Sequence, residues 1–369
     1  MIAAACSRVF HRARLHDPLL ARLRGATRSA LACSLTASLG LAWAVRHHVP
    51  LTAAIPAALF AMIAPLFLRE ARWSGWLVTL ALLASCAGLS LAAGAAVAEQ
   101  PLWRGAGSLL VVFAGVLCQS LGARAVGAAM LTLVSFYLGL YLHPDPTRLM
   151  QMLGLMTFAP AVLALVGRVL IPVEHGLPPG ERPARAPLTA MLAHRLHHLA
   201  WRPALAATAA ALLAMLAGGA LSEDRAMWAV ISTFVVFLGT TSHQGTRARV
   251  VQRVIGTLAG AAASVLLVTV FAHQTGVLVA AMIASVFGWA YYILHAYARG
   301  VFFITLLVGL LYGTLGFAIV PLAAMRIEEV LAGCLISLAL ALLLMPSEAV
   351  RAAGTQRNAP AAERNPVRN

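Results

Sequence analysis

Charged residues are scarce in this sequence, and lysine is absent. Charged side chains make up 11% of the 369 residues, 61% of the residues are hydrophobic, and the mean hydropathy is +0.86. Soluble domains carry about 25% charged residues, so this composition excludes a soluble protein and predicts an integral membrane protein in contact with the lipid bilayer. The formal charge of +15 does not indicate a nucleic-acid partner, because the arginines stand singly or in small groups between apolar runs.

The residue patterns of common catalytic and metal sites are also missing. The sequence contains no nucleophile elbow, phosphate-binding loop, Walker sequence or H-E-x-x-H. Its five cysteines are scattered, so they form neither a disulfide framework nor a zinc-binding spacing. His194, His197 and His198 lack the carboxylates or cysteines that would favour a metal site. We therefore expect a protein that is not an enzyme and holds no cofactor or metal, with any uphill transport driven by an ion gradient or a partner.

Long apolar runs dominate what is present. A helix needs about 20 apolar residues to cross a bilayer, and on this criterion the sequence contains twelve candidate spans. They predict an all-α, polytopic membrane protein with two six-helix halves. The spans are residues 27–45, 51–68, 75–98, 105–122, 125–143 and 149–172 in the first half, and 201–220, 226–242, 254–272, 276–294, 301–320 and 327–346 in the second half.

The two halves begin alike, with T-R-S-A-L-A at residue 27 and W-R-P-A-L-A at residue 201. An even number of spans in each half predicts a parallel duplication. A shorter similarity, between R-V-I-G-T-L-A-G from Arg253 and R-I-E-E-V-L-A-G from Arg326, is explained either by inverted three-helix sub-repeats or by chance. The predicted divisions are a basic cytoplasmic arm (1–26), a first transmembrane half (27–172), a cytoplasmic proline-rich linker with a surface helix (173–200), a second transmembrane half (201–346) and a disordered cytoplasmic tail (347–369).

Arginine counting predicts the orientation, because basic residues are retained on the cytoplasmic side. With both termini in the cytoplasm of a bacterial inner membrane, 22 arginines lie inside and 5 lie outside. Eleven spans with one re-entrant segment would give almost the same asymmetry. The five arginines assigned to outer loops are Arg46, Arg104, Arg148, Arg225 and Arg326.

The segment from residue 240 to residue 260, T-T-S-H-Q-G-T-R-A-R-V-V-Q-R-V-I-G-T-L-A-G, is predicted to be a charged cytoplasmic corner between two spans. Its arginines either anchor the chain at the headgroups or bind an anion, because an arginine at the centre of a membrane helix costs about 2.5–3.5 kcal/mol. Its glycines allow close helix packing. The candidate substrate-binding residues are Arg253, Thr257, Gln252, Gly256, Gly260, Arg249 and Arg247.

The second half resembles the FUSC family of fusaric-acid-resistance and aromatic-acid-exporter-like inner-membrane proteins. The resemblance rests on W-R-P-A-L-A-A-T-A-A-A, on R-A-M-W-A-V-I-S-T with Trp228, on Q-R-V-I-G-T-L-A-G from Gln252 to Gly260, and on R-I-E-E-V-L-A-G. It implies an exporter of aromatic carboxylic acids that uses the proton motive force and works with a periplasmic adaptor. The chain has a linker of about 28 residues where similar exporters often carry a large soluble insert, and this puts the substrate and the adaptor contact in question.

A proton-coupled exporter needs a group that changes charge near the substrate pathway. The candidate proton-coupling residues are Glu329, Glu328 and His243. The two glutamates are otherwise explained as caps at the outer end of the twelfth span, where anions complement the helix dipole. We thus expect a proton-driven efflux transporter for small anionic, aromatic carboxylates that forms a homo-oligomer. An anion channel and a non-transporting scaffold or envelope-maintenance protein are the alternatives.

Overall fold

The computed structural model describes residues 20–70, 72–172, 199–221, 227–240 and 242–345. These residues form twelve helices and no strand, which confirms the predicted all-α, polytopic fold with two groups of six helices. The basic arm, most of the linker with its three histidines, and the tail lie outside the described residues. The first six helices are α1 (Ala21–Arg46), α2 (Leu51–Leu66), α3 (Trp73–Val97), α4 (Pro101–Leu121), α5 (Ala123–Leu142) and α6 (Pro146–Leu170).

The second six helices follow the same order. They are α7 (Trp201–Leu221), α8 (Met227–Phe237), α9 (His243–Val270), α10 (Thr275–Tyr292), α11 (Tyr297–Thr314) and α12 (Ile319–Leu344). Among the described residues, nine helices are long and apolar enough to cross a membrane, and α2 and the described part of α8 are shorter apolar helices. With 11 residues, α8 is only about 16 Å long at 1.5 Å per residue, roughly half of the hydrocarbon thickness.

The two halves contact each other reciprocally. Helix α1, the first of its half, packs on α10, the fourth of the other half, and α4 packs on α7 in the same relation. Phe113 of α4 and Trp201 of α7 contact each other with ring centroids 5.8 Å apart. This exchange of equivalent contacts is the arrangement expected of a duplicated six-helix unit. The predicted inverted three-helix sub-repeats stay a prediction.

Glycines bring the third and fifth helices of each half close together. Gly94 of α3 and Gly139 of α5 face each other's backbones, at Phe136 and Leu91 respectively. In the second half, Gly256 and Gly260 of α9 lie directly against the backbone of α11. Small residues allow such approach in membrane helices, where packing replaces the hydrophobic effect as the source of association.

Two helices begin earlier than their apolar runs predicted. Helix α9 starts at His243 rather than near residue 254, and Ser242 caps it by accepting a hydrogen bond from the backbone N–H of Gly245 at 3.1 Å. Helix α12 starts at Ile319 rather than near residue 327. Hydropathy marks where a chain crosses hydrocarbon, but a polar helical turn continues beyond that limit. The predicted corner is therefore the first part of α9, and Arg326 lies inside α12 rather than in an outer loop.

Candidate functional site

Three helices of the second half meet around a small apolar cluster. Val236 of α8, Val250 of α9, and Val330 and Cys334 of α12 are all buried in it. Next to this cluster the same three helices supply polar and charged side chains instead of apolar ones. We call this polar group the buried cation cluster, and its members are Trp228 and Ser232 of α8, Arg253 of α9, and Arg326 and Glu329 of α12.

Arg253 lies on the buried face of α9. Its side chain is 6% exposed, and its Nη2 donates a hydrogen bond to Ser232 Oγ at 3.4 Å. Its Nε has no hydrogen-bond partner among the described residues. A buried guanidinium presents five donors in a fixed fork, so an incompletely satisfied one has capacity for an additional acceptor.

Arg326 is the second buried guanidinium of the cluster. It is 8% exposed, and its Cζ lies 4.0 Å from the centroid of the Trp228 ring, in cation–π contact. Its Nε and Nη1 have no hydrogen-bond partner in the described part of the chain. Arg253 and Glu329 are both close enough to Arg326 to interact with it electrostatically. Two arginines with three unpartnered donor atoms thus share one buried site.

Glu329 supplies a negative charge to the same cluster. Its side chain is 4% exposed, and its Oε2 accepts a hydrogen bond from the backbone N–H of Trp228 at 3.2 Å. Trp228 is the second described residue of α8, so Glu329 lies at the described start of that helix, where backbone N–H groups and the helix dipole stabilise an anion. The predicted capping role is thus played toward α8 rather than at the start of α12.

The buried cation cluster lies far from both ends of α12. At about 1.5 Å per residue, Glu329 is about 15 Å from Ile319 and about 22 Å from Leu344, the two ends of α12. Glu329 therefore contacts the described start of α8 at a point well away from both ends of α12.

The other residues predicted to bind substrate lie on different faces of α9. Thr257 is 2% exposed and lies one helical turn after Arg253 on the buried side. Gln252 and Arg247 are exposed and lie about 100–120° around the helix axis from Arg253. Arg249 is half-buried, with its Cζ 4.5 Å from the centroid of the Tyr297 ring.

Gly256 and Gly260 also lie on the buried side of α9, but they contact the backbone of α11 at Ala298 and Phe302. The structure thus gives these two glycines a packing contact with α11. Their predicted role in binding substrate stays a prediction.

The three predicted coupling residues are also separated by the fold. Glu329 is in the cluster, whereas Glu328, its neighbour in sequence, is exposed. His243 is the half-buried first residue of α9, about 15 Å from Arg253 along the helix at 1.5 Å per residue. Of the three, the structure brings only Glu329 together with the arginines.

The sequence did not single out Arg326, Ser232 or Trp228 as site residues. One signal was available for Arg326, since it precedes Glu329 by three residues and a helix places such residues on one face. Ser232 gave no signal, because its role depends on which face of α8 meets α9. No group of three or more His, Cys, Asp or Glu residues suited to a metal occurs among the described residues.

The first half carries a different polar group, at the helix ends. Arg124 and Glu70 form a salt bridge, and Thr79 Oγ1 donates a hydrogen bond to Glu70 Oε1 at 2.8 Å. Arg168 Nη2 donates to the backbone carbonyl of Glu70 at 3.0 Å and lies 5.0 Å from the Trp73 ring centroid. Since Arg124 is 49% exposed, this group is an interfacial network. The buried cation cluster has no described copy in the first half.

The family comparison coincides with the helices that build the cluster. Residues 209–340 match the family model of the fusaric acid resistance protein-like proteins. The match covers somewhat more than a third of the chain and confirms the resemblance predicted for the second half. All five members of the buried cation cluster lie within it. It supports a membrane transport or resistance role in general, and with the helical membrane fold it points to a transporter rather than an enzyme. Searches of curated proteins and of solved structures gave no significant match.

Proposed function

We propose that this protein exports small anionic compounds, above all aromatic carboxylates, across the bacterial inner membrane, using the proton motive force. The observation that carries the proposal is the pair of buried arginines, Arg253 and Arg326, with three donor atoms that have no partner among the described residues. Charged residues inside a membrane protein are expensive and commonly mark a substrate or ion pathway. A carboxylate is the ligand whose two oxygens match a guanidinium fork.

The surroundings of the arginines support an aromatic anion. Trp228 places a large aromatic ring 4.0 Å from the Arg326 guanidinium, so a ring carrying a carboxylate would find both of its chemical parts recognised at one place. Arg247 and Arg249, earlier on α9, would attract anions from the cytoplasm toward Arg253. Thr257, one turn beyond Arg253, would offer a hydroxyl to the bound anion.

Of the three candidate coupling residues, Glu329 is the one whose charge lies beside the arginine pair, so it is the residue of the three that this proposal uses. The proposal includes cytoplasmic termini, a homo-oligomer and a periplasmic adaptor. A periplasmic adaptor would have to engage outer loops, because the linker between the halves is predicted to be cytoplasmic.

The test compares two arginines of the same helix. Arg253→Ala should lower the efflux of an aromatic monocarboxylate, such as 4-hydroxybenzoate, by about a hundredfold, since it removes a charge-assisted contact that is strong in a buried site. Arg247→Ala removes the same charge from the exposed face of α9 and should change efflux less than about twofold, in line with rim charges that act mainly on encounter.

Efflux would be measured at pH 8 from proteoliposomes containing equal amounts of folded protein, with leak from protein-free vesicles subtracted. Arg253→Lys keeps the charge without the guanidinium fork and should restore part of the rate. Undiminished efflux in correctly folded Arg253→Ala would refute the site assignment. Absence of saturable efflux in the wild type for every aromatic acid tested would refute the function.

A further inference from the structure

The charge of the buried cation cluster determines which part of the proton motive force can drive export. Two arginines and one ionised glutamate, all more than nine-tenths buried, give the cluster a formal charge of +1. Binding of a monoanion makes it neutral. Among the described residues, Tyr312 of α11 and Cys334 of α12 also interact with the two arginines, and both side chains are neutral in their ordinary forms near pH 7.

Protonation of Glu329 would act in the wrong direction for export. It would raise the charge of the cluster from +1 to +2 and would strengthen the binding of an anion, so a proton taken up there would travel in the same direction as the substrate. An inwardly directed proton gradient acting through Glu329 would therefore drive uptake of the anion. Export against a concentration gradient requires another source of energy.

The membrane potential, which is the electrical component of the proton motive force, has the sign that export of an anion requires. If the loaded cluster is neutral when it changes access from inside to outside, and the unloaded cluster returns with a charge of +1, each cycle exports one substrate anion and moves a net charge of one across the membrane. A membrane potential of 100 mV, negative inside, then supports a concentration ratio of about fiftyfold for one charge per cycle.

We propose that Glu329 remains ionised throughout the cycle, as a fixed counter-charge that selects monoanions and couples export to the membrane potential rather than to the pH gradient. This inference rests on the proposed function and narrows its coupling step. Glu329 is held for this role by the Trp228 backbone N–H at the start of α8 and by its position one turn after Arg326. It is a specificity-determining residue, because its charge sets whether a monoanion or a dianion neutralises the cluster.

The first experiment measures how many charges cross the membrane with each substrate molecule. Proteoliposomes loaded with 4-hydroxybenzoate at pH 8 are given defined potentials with potassium gradients and valinomycin, and the potential at which net flux stops is recorded. We expect this potential to move about 59 mV for each tenfold change in the substrate gradient, the value for one charge. It should not move when a pH gradient is added.

The second experiment changes the charge of the cluster. Glu329→Gln gives the cluster a charge of +2 and keeps an oxygen that can accept a hydrogen bond from the Trp228 N–H. This variant should shift the transport preference from 4-hydroxybenzoate to the dianion terephthalate by tenfold or more. A shift of this size is expected for a unit charge within about 10 Å at an effective dielectric constant of about 20. Glu328→Gln removes an equal charge from an exposed position and should leave the preference unchanged. Arg326→Gln should be inactive, and Glu329→Gln combined with Arg326→Gln restores +1 and should recover monoanion transport.

The outcomes separate this inference from the proposed function. A reversal potential, at which net flux is zero, that changes with the pH gradient would overturn the counter-charge role of Glu329. An unchanged preference for the monoanion over the dianion in folded Glu329→Gln would do the same. In both cases export of aromatic acids would still stand. A complete lack of saturable transport of either anion at every potential would overturn the proposed function and this inference with it.

Discussion

Replacing Gly260 with alanine separates a packing role from a substrate-binding role for the glycines of α9. A Cβ at Gly260 would lie 2.5 Å from the carbonyl oxygen of Phe302 and 2.8 Å from Thr305 Cβ. Carbon contacts are normally about 3.5–4.0 Å, so α11 would have to move by about 1 Å. Overpacking of this kind costs about 1–3 kcal/mol, against a gain of about 1 kcal/mol from replacing a helical glycine with alanine.

The matched control is Gly154→Ala in α6, where an added Cβ would meet no atom within 4 Å. This variant should keep the gain of up to about 1 kcal/mol without the clash. The two variants should therefore differ by about 1–3 kcal/mol, the cost of the overpacking alone, in free energy of unfolding. The comparison uses one kind of substitution in two helices, so helix propensity contributes equally to both variants.

The assay is denaturant unfolding of purified protein in detergent, followed by circular dichroism, with efflux measured on the same preparations. Equal stability of the two variants would refute the packing argument. A raised KM for aromatic carboxylates in Gly260→Ala, with stability unchanged, would instead assign the glycine to substrate binding.

Two further predictions concern the surroundings of the cluster. Glu329→Ala leaves two buried guanidiniums without their carboxylate and should lower the free energy of unfolding by about 3–5 kcal/mol. Glu328→Ala changes an exposed residue and should keep the free energy of unfolding within about 0.5 kcal/mol of the wild type. Equal losses of stability in denaturant unfolding would contradict the burial of Glu329. Cys334 is 0% exposed, so in a variant that keeps it as the single cysteine, a membrane-permeant maleimide should modify it only after unfolding. Rapid labelling of Cys334 in the native state, followed by mass spectrometry, would show that the interior beside Arg253 is open.

The sequence by itself determined the class of this protein, an all-α polytopic membrane protein, and the approximate number of its helices. These properties depend on the lengths of apolar runs and on their order, and a single chain contains that information because the hydrocarbon thickness sets the length of each span. It also identified Arg253 and Glu329, since a charge next to or within an apolar run is costly wherever the run packs.

Only the tertiary structure decided which charges meet. Arg253 and Arg326 belong to helices separated by α10 and α11, and their proximity depends on which faces of α9 and α12 turn toward α8. Hydropathy could not show that Glu329 accepts a hydrogen bond from the Trp228 backbone in α8, because hydropathy does not tell which helices become neighbours. The corner that the sequence placed in a loop is helical, and only its inward face, which includes Arg253, reaches the site, because a helix sends residues three to four positions apart to the same side.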